Sequence, residues 1–372
     1  MSGRTLHAQL CLAWLGALAA LSGCEGPPGP RTDSRVYLLE GTPGVDFQVE
    51  PDRLLFPVAG YEQLLARQPD DILVSSVGTG LFRAVVSVAS ADGTIVIATR
   101  PAVLGEAIID GNVSGQAGMP DEGRWTVDGK WDGILPFDGL LEIGRTAILG
   151  NGEITAEVID SRIRYKPDFQ LDLDLNDRRV TYFEAIAEGS LEATLVVQVQ
   201  TTGSVTVRQN QILWRSAPQT LVQWVGTVPV VEVVTLTFGV GVEVAADGAA
   251  TFEGGGSLTT TLRAGAVYDY WTGGWGGVGE RSVAVVPLGQ VTDGTASIDV
   301  SVYLFAQLDI MFYDVAGPFL YVAPYVGVRH ETGAPGWEPL IGIRGAWGGH
   351  VSIFGETLAG FEAELFDITR PL

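Results

Sequence analysis

From Ile298 to Phe312 every second residue is apolar. Ile298, Val300, Val302, Leu304, Ala306, Leu308, Ile310 and Phe312 share one face; Asp299, Ser301, Tyr303, Phe305, Gln307 and Asp309 share the other. A period of two marks an extended strand with one buried face. The alternating run, 297–315, far exceeds the usual strand of about 5–6 residues. Phe169, Leu171, Leu173 and Leu175 alternate as strictly against Gln170, Asp172 and Asp174. Residues 191–200, 204–213, 228–244, 251–270, 319–329 and 336–354 carry the same Val/Thr/Tyr-rich, Gly-punctuated character. Long strands joined by short turns predict a large antiparallel sheet. Such a sheet must curl, close or pack on a second layer to hide its apolar face.

The fold class that follows is mainly β. A small β-rich domain with one or two short helices is expected over 35–167. A large antiparallel β-sandwich or strongly curved sheet is expected over 168–372, with Pro167 at the boundary. In the first domain, 72–77, 81–89 and 94–99 read as strands, and Asp92-Gly93 as a hairpin turn between the last two. Residues 61–67 have helical spacing before Pro69. Residues 101–111 read as a short helix opened by Pro101 and capped by Gly111. Residues 112–131 read as a loop. In the second domain Gly203 and Asp247-Gly248 read as hairpin turns, and 357–366 as a last strand or a short helix. Pro229, Pro318 and Pro324 should mark strand starts, edges or bulges, because proline cannot donate to a central ladder.

The amino-terminal residues set the compartment. Arg4 precedes an apolar run from Leu10 to Leu21, too short to span a bilayer, which takes about 20 apolar residues. The run closes on Leu21-Ser22-Gly23-Cys24, which resembles the lipobox of bacterial lipoproteins. The resemblance implies cleavage between Gly23 and Cys24, a diacylglyceryl group on the Cys24 thiol, and acylation of the new amino terminus. It divides the start of the chain into a signal peptide, 1–23, and a lipid anchor with a Pro/Gly tether, 24–34. Cys11 then leaves with the signal, and Cys24 has no disulfide partner. Glu25, not Asp, follows the modified cysteine; in enterobacterial lipoproteins that favours the outer membrane, on its periplasmic face or at the cell surface. Residues 78–88 (Gly-Thr-Gly-Leu-Phe-Arg-Ala-Val-Val-Ser-Val) and 316–322 (Ala-Gly-Pro-Phe-Leu-Tyr-Val) resemble stretches of large β-rich surface lipoproteins, a likeness that implies no activity.

The formal net charge is −22, from 44 acidic and 22 basic residues. That balance argues against nucleic acid, whose binding rests on neutralising phosphates. It also argues against a protein lying flat on anionic headgroups.

Candidate chemistry is sparse. The chain has no Gly-x-Ser-x-Gly and no His-Glu-x-x-His. His330 and His350 lie on different segments, with no nucleophile to serve. Asp172, Asp174 and Asn176 have the spacing of a calcium loop's first ligands, so Ca²⁺ is the one cofactor to consider. Leu173 and Leu175 favour a strand instead, and Asp177 stands where a calcium loop needs glycine. Exposed aromatics beside carboxylates grip sugars, which makes Trp125, Trp131, Tyr270, Trp271 and Trp275 the candidate ligand-binding residues. The alternative for them is core packing. Three functions are therefore expected in order. The first is a lipid-anchored envelope protein of structural, adhesive or binding type, taking a polysaccharide or envelope protein as partner. The second is a carrier holding lipid or another apolar ligand inside the sheet. The third is an extracellular hydrolase, for which no catalytic set can be named.

Overall fold

The computed structural model describes residues 29–39, 41–117, 124–127, 139–150, 152–272, 274–294, 296–313, 317–331, 336–351 and 358–371. Its strands in chain order are β1 (Arg31–Thr32), β2 (Val36–Leu38), β3 (Gln48–Val49), β4 (Arg53–Pro57), β5 (Ile72–Ser75), β6 (Leu81–Ala91), β7 (Thr94–Pro101), β8 (Ile108–Ala117), β9 (Arg124–Val127), β10 (Gly139–Ile143) and β11 (Thr146–Gly150). They continue with β12 (Ile154–Val158), β13 (Ser161–Asn176), β14 (Arg179–Arg215), β15 (Gln219–Val225), β16 (Val228–Asp269), β17 (Gly274–Gly294), β18 (Ile298–Phe312), β19 (Gly317–His330), β20 (Glu338–Val351) and β21 (Leu358–Pro371). A 3₁₀ turn, Glu62–Ala66, and one short helix, α1 (Leu104–Ala107), complete the elements. Among the described residues no helix is long and apolar enough to cross a membrane. The protein is mainly β.

Six strands form a small mixed sheet in the order β2-β5-β6-β7-β4-β3. Asp92 and Gly93, both at positive φ (50° and 76°), make the tight turn between β6 and β7, as Asp-Gly predicts. Both faces of this sheet are used. Leu73 joins Leu54, Phe56, Ile95 and Ile97 in a local core. Its neighbours Ile72 and Val74 point the other way, into the core of the large sheet. There Phe82 stacks on Tyr313 at 4.8 Å.

The other fifteen strands form one sheet whose spine runs β1-β8-β13-β14-β16-β18-β19-β20-β21. Its backbone is a ribbon of two very long strands, β14 (37 residues) and β16 (42 residues), paired antiparallel. The turns expected at Gly203 and Asp247-Gly248 are absent. Both sites are extended and lie opposite one another, Gly203 paired with Gly248 and Ser204 with Asp247. Facing glycines carry no side chains to hold the ribbon flat, so the turn-like residues serve its curvature. The helix expected over 101–111 shrinks to the four residues of α1. Gly111 lies in β8 with Val225 packed where a Cβ would be, a close approach and not a cap. Residues 112–117 and 124–127, expected as loop, are strand. Pro167 sits inside β13, paired with Gly189, so that strand runs through the expected boundary. Pro229 and Pro318 are second residues of their strands. Pro324 lies mid-strand, where pairing of β19 to β18 lapses between Tyr303/Tyr325 and Ala306/Val322. Residues 358–366 are strand, not helix.

β16 belongs to two layers. Its first part pairs with β15, the end of β14 and β18; its last part pairs with the start of β14 and with β17. The sheet folds back so that these layers face each other. Phe183 of β14 meets Phe312 of β18 at 6.3 Å, and Trp275 of β17 meets Trp347 of β20 at 6.0 Å. All eight apolar residues of the Ile298–Phe312 alternation are buried in this core. Between the layers, Ala185, Ala187, Ala264, Ala266, Leu308 and Ile310 line a cavity of about 10 Å³. That is barely room for a single water.

The outer face of the second layer carries its own cluster of Tyr303, Phe305, Ala323 and Tyr325. Phe305 and Tyr303 lie across Gly239 and Gly241 of the neighbouring strand, where any Cβ would overlap the rings. Aromatic side chains over strand glycines restore the packing that glycine lacks. With this cover, the first fifteen residues of β16 are buried on both faces.

Candidate functional site

One end of the large sheet gathers the first described residues and three turns. Arg31 of β1 pairs with Asp110 of β8, and their side chains form an ion pair. Asp110 also accepts the Asp177 N–H at 2.8 Å, from the β13–β14 turn. That turn is tight, with Asp177 and Arg178 at positive φ (48° and 65°). Such a turn matches the right-handed twist of the flanking strands. The Arg178 guanidinium donates to Asp33 at 2.6 Å and to the Gly105 carbonyl of α1 at 3.2 Å. Asp33 is buried. Hydrogen bonds from Arg35, and then from Arg178, hold its carboxyl well below the ordinary carboxylate range against the opposing effect of burial. The amino-terminal segment is thus fastened to the sheet by two aspartates that each bridge it to the β13–β14 turn.

The same turn leads to the aromatic residues. The Arg179 guanidinium donates to the Tyr270 hydroxyl at 3.3 Å, and the Tyr270 N–H donates to the Thr181 carbonyl at 3.1 Å. Tyr270 and Trp271 form the connection from β16 to β17. The Trp271 N–H donates to Asp269 Oδ1 at 2.8 Å, which shapes the turn. The two rings meet edge to face at 5.3 Å. Trp271 is 79% exposed and Tyr270 39%. The β15–β16 turn reaches this end as well: the Thr227 and Thr32 hydroxyls lie 3.2 Å apart, and Gly226 packs on Thr32. Two residues before Gly226, Trp224 is 53% exposed. Among the described residues, Trp224, Tyr270 and Trp271 are the exposed large aromatic side chains, and all three stand at this end.

The other sequence-derived candidates fall elsewhere. Trp275 turns inward, partly buried, and packs against the core among Phe183 at 5.5 Å, Tyr268 at 5.3 Å and Trp347. The Trp125 main chain lies in β9; its side chain, like Trp131, Gly23 and Cys24, lies outside the described residues. Asp172, Asp174 and Asn176 share one face of β13, between β8 and β14, with Leu171, Leu173 and Leu175 buried on the other. The Gln170 amide donates to Asp172 at 2.8 Å. Burial, then the nearby Asp172 charge, raises the Asp174 carboxyl. Among the described residues no three of His, Cys, Asp and Glu converge to hold a metal. His330 stacks on Trp337 at 4.7 Å, its Nδ1 3.0 Å from the Gly336 carbonyl oxygen. Sequence reasoning missed Trp224. Its neighbours Leu221, Val222 and Val225 make the segment look like an ordinary buried strand, and only the edge position of β15 turns one face to solvent.

No family model, curated protein or solved structure matches this chain.

Proposed function

We propose that this chain is a lipid-anchored protein of the cell envelope, held in the outer membrane by acyl chains on Cys24. Its β body acts as a structural or binding element for another envelope component. The observation that carries this reading is Leu21-Ser22-Gly23-Cys24 at the end of a short apolar run, seven residues before the first strand at Arg31. Three acyl chains bury many CH₂ groups at about 0.8 kcal/mol each, so such an anchor is effectively permanent. The aromatic end of the sheet, with Trp224, Tyr270 and Trp271 exposed, supports binding in preference to carriage. The cavity that Ala185, Ala264 and Leu308 line between the layers holds about 10 Å³, too little for a lipid. A Cys24→Ser variant tests the anchor. It should move from the membrane to the soluble fraction and keep its far-ultraviolet β signature. Continued membrane association would mean that something other than acylation holds the protein.

A further inference from the structure

We infer that the end of the sheet bearing Trp224, Tyr270 and Trp271 faces the bilayer and seats these aromatic side chains in the lipid headgroup region. This rests on the acylation of Cys24 and names the envelope component that the aromatic end binds. Three independent features of the molecule converge on it.

The first is connectivity. From Arg31 the ladder crosses one end of the sheet in order: Arg31 pairs with Asp110, Gly111 with Leu175, Asn176 with Arg179, and Tyr182 with Asp269. Four strand spacings of about 4.8 Å place Asp269, and with it the Tyr270–Trp271 turn, roughly 19 Å across the same end from Arg31. The β15–β16 turn touches Thr32 directly. The second is reach. From Cys24 to Arg31 the chain advances seven residues, which span at most about 25 Å even when fully extended. An anchor at Cys24 therefore keeps this end within about 25 Å of the membrane.

The third is chemistry. Trp and Tyr concentrate at membrane–water interfaces because each has an apolar body and a polar tip. All the exposed large aromatic side chains of the described residues stand at the tethered end. Charge there is mixed: Arg31, Arg35, Arg178 and Arg179 stand with Asp33, Asp110, Asp177 and Asp269. The net charge of −22 therefore does not concentrate where the protein would approach phospholipid. A sugar-binding platform at the same residues would instead need to face away from the bilayer.

The acylated full-length protein, with Thr272→Cys or Thr227→Cys carrying a fluorophore, tests this. Thr206→Cys, far along β14, is the reference. Acylated Cys24 leaves each variant with one free thiol. In phosphatidylcholine vesicles with bromine-labelled acyl chains, fluorescence at 272 and 227 should be quenched at least about threefold more than at 206, and adding Trp271→Ala should cut the quenching at 272. Equal or absent quenching at all three sites, on protein whose Cys24 mass shows acylation, overturns the orientation and leaves the anchor standing. Unmodified Cys24 in the same sample overturns both. Protection of the 272 probe by soluble polysaccharide and not by lipid overturns the inference in favour of a sugar site.

Discussion

Replacing Glu232 with glutamine should stabilise the protein at pH 8 and leave it nearly unchanged at pH 4.5. Glu232 lies in β16 opposite Leu221 of β15 and Phe312 of β18, and it is 1% exposed. Residues directly opposite in an antiparallel pair share a face, so its carboxyl is held among apolar side chains. One amide, Gln223 Nε2, donates to it at 2.9 Å. Burial pushes its pKa from 4.5 up to about 7, and the Gln223 hydrogen bond offsets only part of that rise. The native state therefore keeps a proton that the unfolded chain releases between these two values. Stability contributed by the neutral acid is fully present below pH 4.5 and is lost as pH rises toward 7. At about 1.36 kcal/mol per pH decade, the full penalty above pH 7 is about 3 kcal/mol. Glutamine has the same shape, can accept the same hydrogen bond and never ionises. Urea unfolding at the two pH values reads the difference. The substitution should raise the unfolding free energy by about 3 kcal/mol at pH 8 and change it by less than about 0.5 kcal/mol at pH 4.5. An effect equal at both pH values would refute the argument, because it would show that Glu232 titrates alike in the folded and unfolded chains.

Three further outcomes are expected. Gly239→Ala places a Cβ into the Phe305 ring and 2.6 Å from the Gln211 carbonyl oxygen. It should cost about 1–3 kcal/mol by thermal or urea unfolding, as overpacking does; an unchanged midpoint would mean the aromatic cover is not seated on the strand. Because Asp172, Asp174 and Asn176 run along an extended strand face, melting should be the same with and without a calcium chelator. A lowered midpoint in chelator would show that the strand binds calcium. The Cys24→Ser variant should leave the membrane fraction, with circular dichroism unchanged.

The sheet was legible wherever alternation alone decides the structure. Ile298–Phe312 and Leu171–Leu175 point their apolar residues inward, because period two has one solution when one face is buried. Asp92-Gly93 was legible for the same local reason: its turn is built from two residues at positive φ. Gly203 and Asp247-Gly248 misled because glycine permits a turn without requiring one; long-range pairing of β14 with β16 kept both sites extended. The helix over 101–111 failed through the same kind of tertiary override, with Ile108 and its successors drawn into the ladder beside β13. At the candidate site, Trp271 and Trp275 look equivalent in sequence. One stands in a turn and the other four residues on in a strand facing Trp347, a distinction set by which layer folds over β17. That Trp224 and Tyr270 stand at the same end of the sheet was not readable at all, since it depends on the order of strands between β1 and β16.

The most direct test of the account is the mass of the mature amino-terminal peptide. The peptide should begin at Cys24 and be heavier than its sequence by a diacylglyceryl group and an amide-linked acyl chain. A peptide beginning elsewhere, or an unmodified Cys24, would contradict it.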